Sequence, residues 1–518
     1  MADRPVAISR APGISAAFFV AALILGTLMA VALRAEVGAG FGASDWAAVR
    51  FTVSQALVSA TLSVVLAIPV ARALARRQFV GRNVLVTLLG APFILPVIVA
   101  VLGLLAVFGR SGWISQVLDL FGLLPLSIYG FHGVVLAHVF FNLPLATRLI
   151  LQGWQDIPAE RFRLAAQLGF DTGDIARVLE RPLLRRVMPG AFAIIFAICL
   201  TSFAVALTLG GGPRATTIEL AIYQAFRFDF DLGRAALLSC LQIGLAGSAA
   251  LFALHFAGTD GFGAGLDRPV LRWDVRGGWM RLQDVGAIGG ATLFLMLPLS
   301  AVVLAGIEGM FALPASVFNA ALLSLMVALA STTILLMLAL PMAATIAVSR
   351  RGLTEIVGLL GIAASPLVIG TGLFLILFPM ADPFALALPV TAVVNAIMAL
   401  PFALRILVPG MRDVLVQYGP LAQSMGMRGW GLWRLLVLPR MRRQIGFAAG
   451  LGAALSMGDL GVIALFADPE RATLPLQMYR LMGSYQMEAA ASAGLLLVLL
   501  SLGLFWVFDR GGRRNVDA

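Results

Sequence analysis

The sequence predicts an all-α polytopic membrane protein, made of two tandem six-helix halves with about twelve transmembrane helices. The first observation is composition: the 518 residues are 60% hydrophobic and only 12% charged, whereas soluble proteins average about 25% charged residues. The second observation is a repeat. The segment Leu143 to Arg186 recurs without a gap as Leu400 to Arg443, 257 residues later, with 14 of 44 positions identical. Composition alone would give roughly three or four matches, so the chain contains an internal duplication.

Apolar runs of about 20 residues can cross a bilayer as helices, and the sequence contains twelve of them. The first run is too long for the core of a signal peptide, and we expect it to be a retained span. The 318–348 run exceeds a single span, so we expect one of its ends to leave the lipid. The predicted spans lie near residues 14–33, 52–74, 84–108, 131–152, 187–209, 234–256, 286–308, 318–348, 353–378, 387–408, 444–466 and 486–508.

The duplication and the span pattern together predict five segments. These are an N-terminal segment with the first helix (1–50), a first transmembrane domain (51–256), a cytoplasmic linker with the seventh helix (257–317), a second transmembrane domain (318–508) and a cytoplasmic tail (509–518). Because each half has an even number of spans, the halves face the same way and are related by an axis along the membrane normal. The outer loop of the first half is longer, since Pro96 and Pro144 are 48 residues apart but Pro366 and Pro401 only 35.

The basic residues are all arginines, and they occur mainly in alternate loops. With the N-terminus inside, 29 of the 37 arginines fall on the cytoplasmic side and eight outside, which is the positive-inside pattern. We therefore expect a multi-pass membrane protein with both termini in the cytoplasm. The net charge of +11 is spread over these loops and forms no nucleic-acid groove.

Residue types exclude several chemistries. The chain has no lysine, so it cannot form the phosphate loop that ATPases use, and any ATP-Mg must bind to another chain. Its two cysteines and three histidines form no ligand cluster. We expect no cofactor, no metal, no catalytic residue and no enzymatic activity in this chain.

The repeated cytoplasmic loops contain a short helix-forming piece, then a glycine, then a proline thirteen residues later. Glycine can end a helix in a left-handed conformation, and proline is favoured at the start of the next helix. Such an exposed, duplicated element predicts docking of a partner at two equivalent places. The candidate coupling residues are Leu164, Ala165, Gly169 and Pro182 in the first loop, and Leu421, Ala422, Gly426 and Pro439 in the second.

The loops resemble the EAA loop of binding-protein-dependent ABC importer permeases (EAA, three residues, Gly, nine residues, I-x-L-P). Arg163 and Pro420 occupy the usual glutamate position, and Arg181 precedes the first proline. Longer strings are similar to the permeases of thiamine/thiamine pyrophosphate transporters. They are Ile94 to Trp113, Leu136 to Gln152, Leu209 to Ala225 and Ser456 to Phe466.

The resemblance implies two fused type-I ABC importer halves in the bacterial inner membrane that carry thiamine, its pyrophosphate, or both. It also implies two partners, a homodimeric ABC ATPase under the loops and a periplasmic thiamine-binding protein. Two alternatives remain at this point. One is the same architecture importing ferric iron or another small solute, and the other is an ion-coupled secondary transporter, in which parallel repeats also occur.

Asp459 lies within the apolar run of the eleventh span, and its repeat partner is Ser202. An ionisable group at that depth is costly and usually lines a cavity or finds a partner. Asp459 and Ser202 are therefore candidates for the translocation path. The alternative for Asp459 is a structural hydrogen bond to a helix end near Gly458 or Gly461. The outer segments that start at Arg214 and Arg471 share Arg-Ala-Thr and either dock the binding protein or are structural loops.

Overall fold

The computed structural model describes residues 9–36, 40–89, 95–210, 212, 215–256, 277–349, 352–466 and 471–513. In these ranges, eleven helices are long and apolar enough to cross a membrane. A further pair, Leu353–Gly361 and Pro366–Leu377, passes the same test together and is bent by 97°. The predicted all-α polytopic fold with about twelve spans is confirmed.

The described part of the first half contains twelve α-helices, of which α2, with 34 residues, is the longest. In chain order they are α1 Ala11–Arg34, α2 Ala43–Arg76, α3 Arg82–Leu88, α4 Val97–Phe108, α5 Trp113–Asp119, α6 Phe131–Gln155, α7 Ala159–Gln167, α8 Thr172–Ile175, α9 Arg181–Leu200, α10 Phe203–Leu209, α11 Ile218–Arg227 and α12 Leu232–Phe256.

In the described residues, the second half repeats this order from α13 with three differences. Its helices are α13 Gly278–Glu308, α14 Ala315–Val348, α15 Leu353–Ala363, α16 Pro366–Leu377, α17 Ala387–Ser424, α18 Gly429–Leu432, α19 Leu438–Arg440, α20 Arg442–Met457, α21 Gly461–Phe466, α22 Leu474–Gly483 and α23 Met487–Arg513. Helix α5 has no counterpart, α7 corresponds to the end of α17, and α9 corresponds to α19 and α20. Helix α5 belongs to the longer outer loop of the first half, as the proline spacing predicts.

The first helix of each half packs on the other half. Helix α1 contacts α14, α15 and α16, while α13 contacts α2 and α4. Glycines bring these backbones together: a Cβ added at Gly372 of α16 would lie 2.5 Å from the Thr27 carbonyl oxygen of α1. One added at Gly103 of α4 would lie 2.4 Å from the Pro298 carbonyl oxygen of α13. Small residues permit such close helix approach in membranes, and the exchanged helices tie the halves into one body.

Several predicted spans are interrupted. The fifth span is broken at Thr201–Ser202 between α9 and α10, and the eleventh is broken at residues 458–460 between α20 and α21. The ninth bends between α15 and α16, where Pro366 lacks an N–H for a continuous helix. In the third span α3 ends at Leu88, α4 begins at Val97, and residues 90–94 are outside the described ranges. The 318–348 run lies in the single helix α14 of 34 residues.

Residues 257–276, the part of the predicted 257–317 segment that precedes the seventh helix, also lie outside the described residues. The buried side chains instead show where the halves meet. One core cluster combines the second half with Val20 and Ile24 of α1, and another combines the first half with Ala291 and Leu295 of α13. Each hydrophobic core is therefore completed by a helix from the other half of the sequence.

Candidate functional site

The two repeated loops, residues 156–182 (first coupling loop) and 413–439 (second coupling loop), share one glycine turn. Gly169 has φ of +70° and Gly426 has φ of +66°. The N–H that follows each glycine donates to the carbonyl of Ala165 or Ala422, at 3.0 and 2.9 Å. This is the Schellman helix end, which glycine favours. The predicted helix end at each glycine is confirmed.

The next helices begin at Thr172 and Gly429, however, and Pro182 and Pro439 lie farther along them, after the π-helical segments Ala176–Glu180 and Trp433–Val437. The prediction that proline starts the next helix is therefore wrong, because a π-helical turn accommodates the missing proline N–H inside the helix.

Each coupling loop presents an apolar surface at equivalent positions. Leu164 and Leu421 are 55% and 57% exposed, and one turn later Leu168 and Met425 are 62% and 65% exposed. The alanines beside them, Ala165 and Ala422, are buried. Each loop therefore keeps its alanine face against the rest of the chain and leaves leucine and methionine side chains exposed at the surface.

The loops differ in how they join the fourth span. In the first, the chain leaves α6 at Gln155 and starts α7 after Pro158, whereas in the second α17 continues from Ala387 to Ser424. The reason is local, since Pro158 disfavours helical backbone at Ile157 and its repeat position holds Leu415. The short helix that the sequence predicts is separate in the first loop and is the end of a long helix in the second.

A buried ion cluster holds the first coupling loop. Glu180 Oε2 lies 2.9 Å from Arg72 Nε, and Glu180 Oε1 lies 3.3 Å from Arg76 Nη2. The Arg76 and Glu180 side chains are 2% and 3% exposed. In the second loop the repeat position of Glu180 is Val437, which is fully buried among apolar side chains. The two loops thus share the glycine turn but differ in packing chemistry at this position.

A cavity of about 380 Å³ lies where the broken fifth and eleventh spans meet. Most of its wall is apolar and comes from both halves, including Leu95, Phe141, Phe203, Pro366 and Leu455. Five polar side chains contribute to the wall: His138, Asn142, Thr201, Ser202 and Asp459. A concave, mostly apolar space with a few polar groups is the usual form of a small-molecule site.

Two glutamines stabilise the break in the fifth span. Gln55 Nε2 of α2 donates to the Cys199 carbonyl at 2.9 Å, and Gln242 Nε2 of α12 donates to the Leu200 carbonyl at 3.0 Å. The last carbonyls of a helix have no partner within it, and in a membrane they must be satisfied by protein or by cavity water. These bonds allow α9 to stop at the level of the cavity.

The structure brings Asp459 and Ser202 to the same cavity, one from each half. Asp459 Oδ1 accepts the N–H of Gly461 at 3.2 Å, at the start of α21. Asp459 Oδ2 is buried and has no hydrogen-bond partner in the described part of the chain. The carboxylate therefore makes the structural bond considered from the sequence and still has one oxygen free for another group.

His138 and Asn142 were not recognised from the sequence as site residues. Asn142 Nδ2 donates to the His138 carbonyl at 2.9 Å and contacts Cys199 Sγ at 3.4 Å. His138 Nδ1 lies 3.4 Å from Ser59 Oγ. The repeat contains a signal that could have identified His138: its partner 257 residues later is Asn395, so both fourth spans carry a polar residue at that depth.

The outer Arg-Ala-Thr segments begin the short helices α11 and α22. Their N-cap residues are Thr217 and Thr473, so the structural alignment is shifted by one residue from the 257-residue repeat. The first N–H of α11 donates to Thr52 Oγ1 at 2.9 Å, and that of α22 donates to Ser324 Oγ at 2.7 Å. The threonines are buried, which favours a structural role for them. Arg214 is outside the described residues.

Glu219, in the first turn of α11, is fully buried. Burial raises the pKa of its carboxyl to about 8, and hydrogen bonds from the Ser365 and Gln242 side chains offset part of this effect. The group is not in a spanning helix, and its protonation depends on the packing of α11.

The chain matches known proteins over its whole length. It is 38% identical over 538 residues to the thiamine transport system permease protein of Brucella abortus (strain 2308), an alignment that covers 100% of this chain and 97% of the relative. The identity to the Escherichia coli (strain K12) protein of the same name is 38% over 529 residues, covering 98% and 97%. The chain belongs to the thiamine transport system permease family. A Haemophilus influenzae member is 34% identical over 474 residues, covering 88% of this chain and 86% of the relative.

Family membership confirms the resemblance found in the sequence. No protein-family model matches the chain. The full-length relatives favour a thiamine ABC importer permease over a ferric-iron importer of the same architecture and over an ion-coupled transporter. Together with the helices described above, they make the chain a multi-pass inner-membrane permease, a transport subunit and not an enzyme.

Proposed function

We propose that this permease moves thiamine from the periplasm to the cytoplasm as the membrane-spanning part of an ATP-driven importer. A periplasmic thiamine-binding protein delivers the substrate, and ATP-Mg is bound and hydrolysed by a separate ATPase dimer. Both chain termini face the cytoplasm. The observation that carries the proposal is the cavity between the two broken spans, in a chain that resembles thiamine permeases over its full length.

The coupling loops are suited to transmit movement from the ATPase. Exposed Leu164 and Leu421, each at the same place on its loop, fit apolar grooves on two identical ATPase subunits. When ATP closes that dimer, both loops move together and the helices attached to them follow as rigid bodies. Because α1 and α13 are exchanged between the halves, the halves tilt about the cavity without separating.

The candidate path residues give the cavity an affinity for cations. Thiamine carries a permanent positive charge on its thiazolium ring. The ionisable carboxyl group of Asp459 lies beside an apolar wall, and its Oδ2 has no hydrogen-bond partner in the described part of the chain. In such a poorly hydrated place, charge attraction is several times stronger than in water. Ser202 contributes a hydroxyl from the other half.

The experiment is ATP-dependent uptake of labelled thiamine into vesicles that contain this permease, its ATPase and its binding protein. Leu164→Asp and Leu421→Asp place a charge in each apolar contact, and we expect each to abolish uptake and ATPase stimulation. The matched controls Leu164→Met and Leu421→Met keep the contact apolar and should retain both activities.

Three other outcomes test particular parts of the proposal. If the vesicles take up thiamine pyrophosphate and no thiamine, the substrate is the pyrophosphate and not free thiamine. Stimulation of the ATPase by an iron-loaded binding protein, with no thiamine uptake, would overturn thiamine as the substrate. Full uptake by both aspartate variants would overturn docking at the loops.

A further inference from the structure

Two polar groups of the cavity wall lack partners, and they come from different halves. His138 is 3% exposed, and its Nε2 has no hydrogen-bond partner within the described residues. The same is true of Asp459 Oδ2. A buried polar atom without a partner costs about 1–3 kcal/mol. Occupation of the cavity by a ligand with matching groups would remove both costs.

The repeat shows that these groups make the cavity asymmetric. The partner of Asp459 is Ser202, and the partner of His138 is Asn395. Asn395 Nδ2 donates to Ser456 Oγ of its own half at 3.0 Å, whereas His138 Nε2 is uncommitted. Two exact copies would present each group twice, but here one half supplies an imidazole and the other a carboxylate. Such a wall distinguishes the two ends of a ligand.

We propose that the cavity binds thiamine in one orientation, with its thiazolium at Asp459 and its aminopyrimidine hydrogen-bonded to His138 Nε2. This inference rests on the proposed function and assigns a specificity-determining contact. An aminopyrimidine has an amino donor next to a ring-nitrogen acceptor. When Nδ1–H donates to Ser59 Oγ, 3.4 Å away, Nε2 is an acceptor and takes a hydrogen bond from the amino group. An oxo group at that position would set two acceptors against each other.

The remaining wall fits the two rings of such a ligand. Phe141, Phe203 and Leu455 line the cavity with apolar surface. Its volume of about 380 Å³ is near the lower end of the roughly 300–1,000 Å³ typical of ligand pockets. A small heteroaromatic cation matches both the size and the polarity of this space.

The test compares uptake of thiamine with uptake of oxythiamine, in which an oxo group replaces the pyrimidine amino group and reverses the hydrogen-bonding pattern. Each is presented on saturated binding protein to the complete reconstituted importer. The measured quantity is the ratio of the two uptake rates in a variant, divided by the same ratio in the wild type. Any preference of the binding protein cancels in this quotient.

We expect His138→Met to lower the thiamine preference roughly tenfold, the scale of one lost hydrogen bond in a buried site. His138→Gln, which still offers a donor and an acceptor, should restore most of the preference. Asn395→Met, at the repeat-equivalent position, should leave the ratio unchanged. Asp459→Asn should slow uptake of both compounds equally, because both carry the thiazolium.

A purely structural role for His138 would reduce both uptake rates in His138→Met and leave their ratio at the wild-type value. That result would overturn the inference. Loss of the preference in Asn395→Met as well would also overturn it, because the contact would not be specific to one half. Failure of the proposed function is distinguishable, since the wild-type importer would then take up no thiamine at all.

Discussion

The buried ion cluster at Glu180 gives a quantitative prediction about the first coupling loop. Glu180→Val replaces the glutamate by the residue that its repeat partner Val437 has in the second loop. The substitution leaves the Arg76 guanidinium, with its side chain 2% exposed, without the carboxylate that lies 3.3 Å away. Arg72, which is 33% exposed, loses a pair that is 2.9 Å long.

Removing one partner of a buried ion pair typically costs about 3–5 kcal/mol. We expect about 3 kcal/mol here, at the lower end, because water reaches Arg72 and screens its part of the interaction. The loss is local to the contact between α2 and the loop. It should therefore weaken the coupling of ATP hydrolysis to uptake as well as the stability of the protein.

The second half suggests a compensating variant. Helices α2 and α14 are both 34 residues long, so Arg72 and Arg76 correspond to Ala344 and Val348. Combining Glu180→Val with Arg72→Ala and Arg76→Val copies this apolar arrangement into the first half. Replacing a complete buried ion cluster by apolar residues is often neutral or stabilising, so the triple variant should recover most of the lost stability.

The assay is thermal unfolding of the purified permease in detergent, together with ATPase stimulation in the reconstituted importer. Glu160→Val is the matched control, since it removes an exposed acid from the same loop and should leave the melting temperature unchanged. A Glu180→Val protein as stable as the wild type would refute the reasoning. So would a triple variant no more stable than the single one.

Two further predictions concern the glycine turns and the outer helix. Gly169 and Gly426 have positive φ, so valine at either position should lower coupled uptake severalfold. Asparagine, which tolerates this conformation, should largely preserve uptake. Equal loss of uptake with valine and with asparagine would contradict the turn argument. Burial raises the folded pKa of Glu219 from 4.5 to about 8, so the unfolded chain releases a proton first and stability falls as pH rises between these values. Thermal melts from pH 5 to 8 should show this decline in the wild type and a smaller one in Glu219→Gln, and parallel curves would contradict it.

Much of the candidate site could be predicted from local sequence. The gapless repeat identified both coupling loops and the pairing of Ser202 with Asp459. The helix end at Gly169 depends on a few neighbouring residues and on the backbone freedom of glycine, so sequence alone could predict its left-handed conformation. Similarly, the spacing of the prolines revealed the longer outer loop that contains α5.

Only the tertiary structure showed how these parts combine. The exchange of α1 and α13 depends on which helix faces meet, and apolar spans of similar composition do not encode that choice. His138 and Asp459 are 321 positions apart, and they share a cavity because two spans break at the same depth. Glu180 meets Arg76 across 104 positions for a comparable reason. Sequence determined the local turns and the duplicated plan because these depend on neighbouring residues. Long-range polar contacts depend on helix rotation and packing, which only the folded chain determines.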